Sequence, residues 1–183
     1  HGEVLRADVD HRHDEHDVEQ ALQDHVGDGL INQIRAGSLG LDEILTDFFV
    51  RELHRRLYGD LWEWGGRFRL VQTNIGIAPE QIAVQLRSEM DNLRYRWEEV
   101  HDLDPKMLGL LVHVAVVQIH PFVDGNGRAT RLLADVVLAA AATGDVVRFD
   151  WNIDRGAYID ALVHYDNGRD IGPLAELVNV GQV

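Results

Sequence analysis

The sequence predicts an all-α chain, on three observations. An apolar run of Leu108, Leu110, Leu111, Val112, Val114, Val116, Val117 and Ile119 leads into Pro121, which disfavours helical geometry at the residue before it and has no amide to donate. Ala129 to Ala142 is rich in Leu and Ala and free of Gly and Pro, the composition of a second buried helix. Phe68 to Ile77 is the only stretch that reads comfortably as extended.

Taken in order, residues 1 to 20 are strongly polar, with His1, His11, His13 and His16 among many acids. The spacing His11-x-His13-x-x-His16, close to Asp14 and Asp17, suits a divalent metal. No apolar framework surrounds it to fix a geometry, so a solvated arm running into a helix start is the better reading. Asp17 to Val26 is helical, Gly27-Asp28-Gly29 breaks it, and Leu30 to Ile34 forms a short second segment interrupted by Gly37 and Gly40. Thr46 caps the next helix, with Phe48, Phe49, Leu53 and Leu57 at helical spacing, and Tyr58-Gly59-Asp60 ends it. Trp62 and Trp64 follow as packing anchors.

Pro79 opens a helix through about Val100, with Ile82, Val84, Leu86, Met90, Leu93 and Trp97 as its apolar positions, and His101 to Asp104 is a connector. The helix beginning near Pro105 carries both His113 and His120. Their two-turn separation, about 10 Å, is too long for a shared hydrogen bond, which makes His113 structural. Thr143-Gly144-Asp145 closes the Ala129 helix, and Val146 to Trp151 is a short extended linker. Asp154 to Val163 is helical, Asp166-Asn167-Gly168 turns, and Ile171 to Val178 is a last helix with Leu174 and Leu177 inward.

At 183 residues and 45% hydrophobic, the chain suits one domain spanning 1–183, with 1–40 as a polar N-terminal arm and helices and 150–183 as a C-terminal helical extension. The longest apolar runs carry His or Asp, so neither a membrane span nor a signal peptide is read from them. The absence of cysteine excludes disulfides and thiolate chemistry and fits a reducing, cytoplasmic setting. A formal charge of −14 argues against a nucleic-acid partner. Lys106 is the only lysine, which bears on genome or salt rather than on chemistry.

Chemistry concentrates in His120-Pro-Phe-Val-Asp-Gly-Asn-Gly-Arg-Ala-Thr-Arg131. Gly125 and Gly127 let successive amides point at one spot, to which the following helix adds its unpaired N-terminal amides. Arg128 and Arg131 are three apart on one helical face and offer planar donors suited to phosphate oxygens. Asp124 supplies a carboxylate that could share Mg2+ with a phosphate. His120 can take a proton from an incoming hydroxyl near neutral pH. Each residue alone has an ordinary structural reading, such as a turn at Asp124 to Gly127, but together they suggest phosphoryl or nucleotidyl transfer to a hydroxyl.

The same twelve residues resemble the complete signature of the Fic (filamentation induced by cAMP) domain family, His-x-Phe-x-Asp/Glu-Gly-Asn-Gly-Arg-x-x-Arg, with no position departing from it. Leu53-His54 through Trp64-Gly65-Gly66-x-Phe68-Arg69 is similar to a second family region, with Trp62 where tyrosine is common. The resemblance implies a Fic-type helical bundle with a small β-hairpin flap. It further implies a protein adenylyltransferase that moves AMP from ATP, with Mg2+, to a Ser, Thr or Tyr hydroxyl of a target protein. In that reading His120 is the base and Asp124 binds the metal. Asn126, with the amides of Gly125 and Gly127, holds the α-phosphate, Arg128 and Arg131 hold the outer phosphates, and Phe122 points inward and fixes the loop. The flap, Leu70, Val71, Gln72, Thr73, Asn74, Ile75 and Gly76, docks the target's backbone.

Alternatives within the fold are transfer of UMP, GMP or another phosphate-containing group, and a module that binds nucleotide without transferring it. Gly127 stands where kinase-like relatives carry lysine, and the intact His120 weighs against a binding-only module. The family's inhibitory motif, Ser/Thr-x-x-x-Glu-Gly/Asn, has no match here. Glu15 and Glu19 only approximate it, and an antitoxin-like inhibitory partner is the other expectation.

Overall fold

The apolar run expected from the sequence is the central helix of the molecule. In the computed structural model, which describes residues 20–142 and 147–182, α5 (Pro105–Ile119) is buried along almost its whole length. Asp104 caps it by accepting from the amide of Met107 at 2.8 Å, and Pro105 occupies the first turn, where a missing amide costs nothing. Antiparallel to it lies α6 (Asn126–Ala141), whose Leu132, Leu133, Val136 and Val137 are also buried.

Around this pair are α1 (20–35), α2 (Leu41–Ile44), α3 (Asp47–Tyr58), α4 (Ile82–Tyr95), α7 (Arg155–Gly168) and α8 (Gly172–Leu177), giving eight α-helices among the described residues. Thr46 caps α3 as expected, accepting from Phe49 N at 3.0 Å. The helix foreseen from Pro79 to Val100 is a 3-10 turn, Pro79–Gln81, then α4, then a wide π turn, Arg96–Val100, closed by a left-handed His101. Two strands, β1 (Val147–Asp150) and β2 (Asn179–Gln182), pair antiparallel with Phe149 opposite Val180. Phe149 seats β1 on the core: its amide donates to Asp135 Oδ1 at 2.9 Å, and its ring fills the space left by Gly109, where a Cβ would come within 2.8 Å of it.

Several local expectations change. The Gly27-Asp28-Gly29 break does not occur: α1 runs through it, and Gly27 allows close approach to α6, since a Cβ there would sit 3.1 Å from Leu132 Cδ1. Phe48 and Val84, counted among the apolar positions of their helices, are 73% and 75% exposed, and Val50 takes a buried place on α3. Val147–Asp150 of the expected linker is strand β1, and the turn at Asp166 to Gly168 is the last turn of α7, with Arg169 as the left-handed cap. Residues 70–76 form an irregular loop rather than a paired hairpin; beside it, Phe68 and Phe122 form an isolated antiparallel bridge. His11, His13, His16, Glu15 and Glu19 lie outside the described residues.

Candidate active site

The site is built where α5 ends and α6 begins. His120 closes α5: its amide still donates to Val116 O at 2.9 Å, but its backbone is left-handed, with φ at +51°. A residue with a Cβ adopts that conformation at a cost of roughly 1–2 kcal/mol. The turn lifts the half-buried imidazole out of the helix and into a cavity. Burial pushes its pKa below the ordinary histidine range, the Arg69 cation adds to the shift, and Asp124 pulls the other way. The net effect favours a neutral ring able to accept a proton near pH 7.

The loop that follows is held mostly by side chains bonded to its main chain. Gly125 is the N-cap of α6 with φ at +74°, and a Cβ there would lie 2.5 Å from the Tyr58 ring, so glycine is needed for both angle and space. Gly125 N donates to Asp124 Oδ1 at 2.6 Å. Asn126, 3% exposed, is spent on the loop itself: its Oδ1 accepts from Phe122 N at 3.0 Å and its Nδ2 donates to Phe122 O at 2.8 Å. Gly127 is exposed and faces open space. Arg128 lies over Tyr58, and Arg131, one helical turn on, lies over Tyr158 and Trp151. The first residues of α6, Asn126 and Gly127, reach the cavity, while the two guanidinium groups, from the same helix, lie against these aromatic rings.

Phe122 is 1% exposed and stacks on His54, ring centres 3.7 Å apart, so it anchors the loop from beneath. His54 was not given a role from sequence. It is fully buried on α3 and is read unambiguously: Gly66 N donates to its Nδ1 at 2.9 Å, so Nε2 carries the proton and donates to Asp124 O at 3.0 Å. Burial pushes its pKa down to about 4, which keeps the ring in this neutral form. The spacing Val50, Leu53, His54, Leu57, Tyr58 on the buried face of α3 was the signal available for it. His113 is structural as expected: buried, hydrogen-bonded through Nε2 to the Tyr158 hydroxyl at 2.8 Å and pushed down to about 4 by burial.

Above the loop stands the 70–76 segment, with Leu70, Val71 and Ile75 largely exposed and no partner strand. Its neck is fixed to the end of α5: Arg69 N donates to Pro121 O at 2.9 Å and Ile77 N to Ile119 O at 3.4 Å. Arg69, also without a role from sequence, is 1% exposed at this junction. The cavity below has a volume of about 690 Å3 and is lined by Gly76, Ile77, His120, Asn126, Gly127 and, on α7, Tyr158, Ile159 and Leu162. That is within the range of roughly 300–1,000 Å3 of small-molecule sites. Among the described residues no group of three or more His, Cys, Asp or Glu gathers to hold a metal by protein ligands alone. Asp124, exposed on the loop between His120 and α6, fits a Mg2+ that takes its other ligands from phosphates and water.

The Fic/DOC family profile matches residues 44–138. The protein adenylyltransferase Fic of Nematostella vectensis is 33% identical over 167 residues, covering 88% of this chain and 36% of the relative. The protein adenylyltransferase fic-1 of Caenorhabditis elegans is 32% identical over 143 residues, covering 75% and 27%. The chain thus spans about a third or less of the length of these relatives. BepC of Bartonella tribocorum, crystallised with bound AMPPNP, shares the fold at a TM-score of 0.62 and 16% identity, covering 91% of this chain and 89% of that one. A Fic domain containing signalling protein of Bacteroides thetaiotaomicron does so at 0.65 and 24%, covering 86% and 60%.

Proposed function

The chain belongs to the Fic/DOC family, and from that premise we propose that it is a protein adenylyltransferase, moving AMP from ATP to a hydroxyl of a target protein. The observation that carries the reading is His120, a half-buried imidazole kept neutral at a helix end, facing the same cavity as Asn126 and Gly127 at the start of α6.

In this reaction the target's hydroxyl attacks the α-phosphorus of ATP as His120 takes its proton. A bond forms between the target oxygen and phosphorus, and the bond to the β-phosphate oxygen breaks to release pyrophosphate. The Asn126 and Gly127 amides at the start of α6 receive the charge that builds on the α-phosphate, and Arg128 and Arg131 hold the departing phosphates. Asn126 acts through the loop geometry it fixes. Asp124 would hold Mg2+, which when bound offsets phosphate charge. The exposed 70–76 segment, which has no partner strand, offers an edge on which a target strand can dock beside His120. Control by an inhibitory partner protein, as in toxin and antitoxin pairs, fits a chain whose described residues hold no inhibitory motif.

Transfer of another group is the competing reading within the fold, and Gly127, facing open space, leaves the phosphates free to sit either way. ATP labelled on the α-phosphate and, separately, on the γ-phosphate separates the two when each is incubated with Mg2+, the protein and cell lysate. Label incorporated only from the α position is the expected result. Incorporation from the γ position would replace adenylyl transfer by phosphotransfer.

A further inference from the structure

Arg69 is a cation almost wholly removed from water, and none of its acceptors is a carboxylate. Its Nε donates to His120 O at 2.7 Å, Nη1 to Val71 O at 2.9 Å, and Nη2 to Ile77 O at 2.5 Å and Ile119 O at 3.4 Å. Two of these carbonyls, Ile119 and His120, belong to the C-terminal end of α5, where unpaired oxygens and the helix dipole favour a positive charge. The other two, Val71 and Ile77, stand on the two sides of the exposed segment. A buried charge needs such compensation, since its desolvation costs several kcal/mol.

We propose that Arg69 is a positioning residue that ties the neck of the 70–76 segment to the end of α5 and so fixes His120 and the target-docking segment relative to each other. The proposal rests on the reading of His120 as the base. His120 is left-handed, and such a conformation persists only where its surroundings over-determine it. The Arg69 bond to the His120 carbonyl supplies that constraint from the docking segment itself. Gly76 closes the same joint from the other side: with φ at +95°, it lies so near that a Cβ would come within 2.6 Å of His120 Cβ and 2.7 Å of Arg69 Nη2. A lysine cannot do the work of Arg69, because one ammonium cannot span donors arranged to reach both sides of the neck.

The test compares the full chain with Arg69→Lys, Arg69→Met and Gly76→Ala, reading amide hydrogen exchange, affinity for ATP and the rate of AMP incorporation into lysate protein. In each variant the Arg69 and Ile77 amides should exchange about tenfold faster or more, as expected for loss of hydrogen bonds to a charged group. AMP incorporation should fall at least about tenfold while ATP affinity stays within about twofold, because the α6 loop is untouched. A general loss of structure would instead speed exchange across α5 and α6 and weaken ATP binding together, and would overturn the proposal. So would full rescue by lysine, or neck amides in Gly76→Ala that exchange as in the parent. Gly76→Ala judges the idea even if Arg69→Met fails to fold. If the parent chain incorporates no AMP, the functional reading fails, while the exchange measurement still decides whether the joint exists.

Discussion

Two glycines two positions apart in the same loop do different things. Gly125 has a left-handed backbone and the Tyr58 ring against it, whereas Gly127 lies inside the first turn of α6 with nothing within 4 Å of a Cβ. Gly125→Ala should therefore lower stability by about 1–3 kcal/mol in urea denaturation, from backbone strain and the clash. Gly127→Ala should be neutral or stabilise by up to about 1 kcal/mol, since alanine is the better helix residue. Equal effects at the two positions would mean that the loop is not held as described. The signature residues were legible because their chemistry is clustered within twelve consecutive positions. His54 and Arg69 were not, because their roles depend on partners 50 to 70 residues away, Asp124 for one and the carbonyls of Ile119 and His120 for the other.

Among the elements, the helices with clear local signals were read correctly. Thr46, Pro79 and Pro105 start segments where their side chains or missing amides predict, and the α5 and α6 pair follows from apolar composition alone. Misreadings arose where tertiary contact decides. Gly27 looked like a break, yet it is the point of close approach between α1 and α6. Val147 to Asp150 looked like a linker because its partner, Asn179 to Gln182, lies at the far end of the chain. The extended character of Phe68 to Ile77 was seen, but its pairing was not predictable: the neck of the segment is bonded to the end of α5, in part through Arg69, and its two arms form no main-chain ladder.

At the scale of the whole molecule, the buried histidines make stability depend on pH. His54 and His113 are both pushed down to about 4, whereas an unfolded chain protonates them near 6.5. Between these values the unfolded state binds more protons, so stability falls as pH falls, by up to about 3 kcal/mol for each ring at about 1.4 kcal/mol per pKa unit. Asp135, pushed up to about 6 by burial, acts in the opposite sense, gaining its proton in the fold first as pH drops, and it offsets part of the loss. Glu52, held down to about 2 chiefly by its hydrogen bond to Arg55, yields only below this window. The melting temperature should thus drop between pH 7 and pH 4.5, and His113→Gln should flatten that slope; an unchanged slope in the variant would contradict the assignment. In the proposed reading, the His120 imidazole is the group on which AMP transfer depends. Intact-mass spectrometry of lysate targets after incubation with Mg2+ and ATP, comparing the parent chain with His120→Ala, tests it most directly. The account predicts a gain of one AMP moiety that disappears in the variant, whereas an AMP adduct formed equally well without His120 would contradict it.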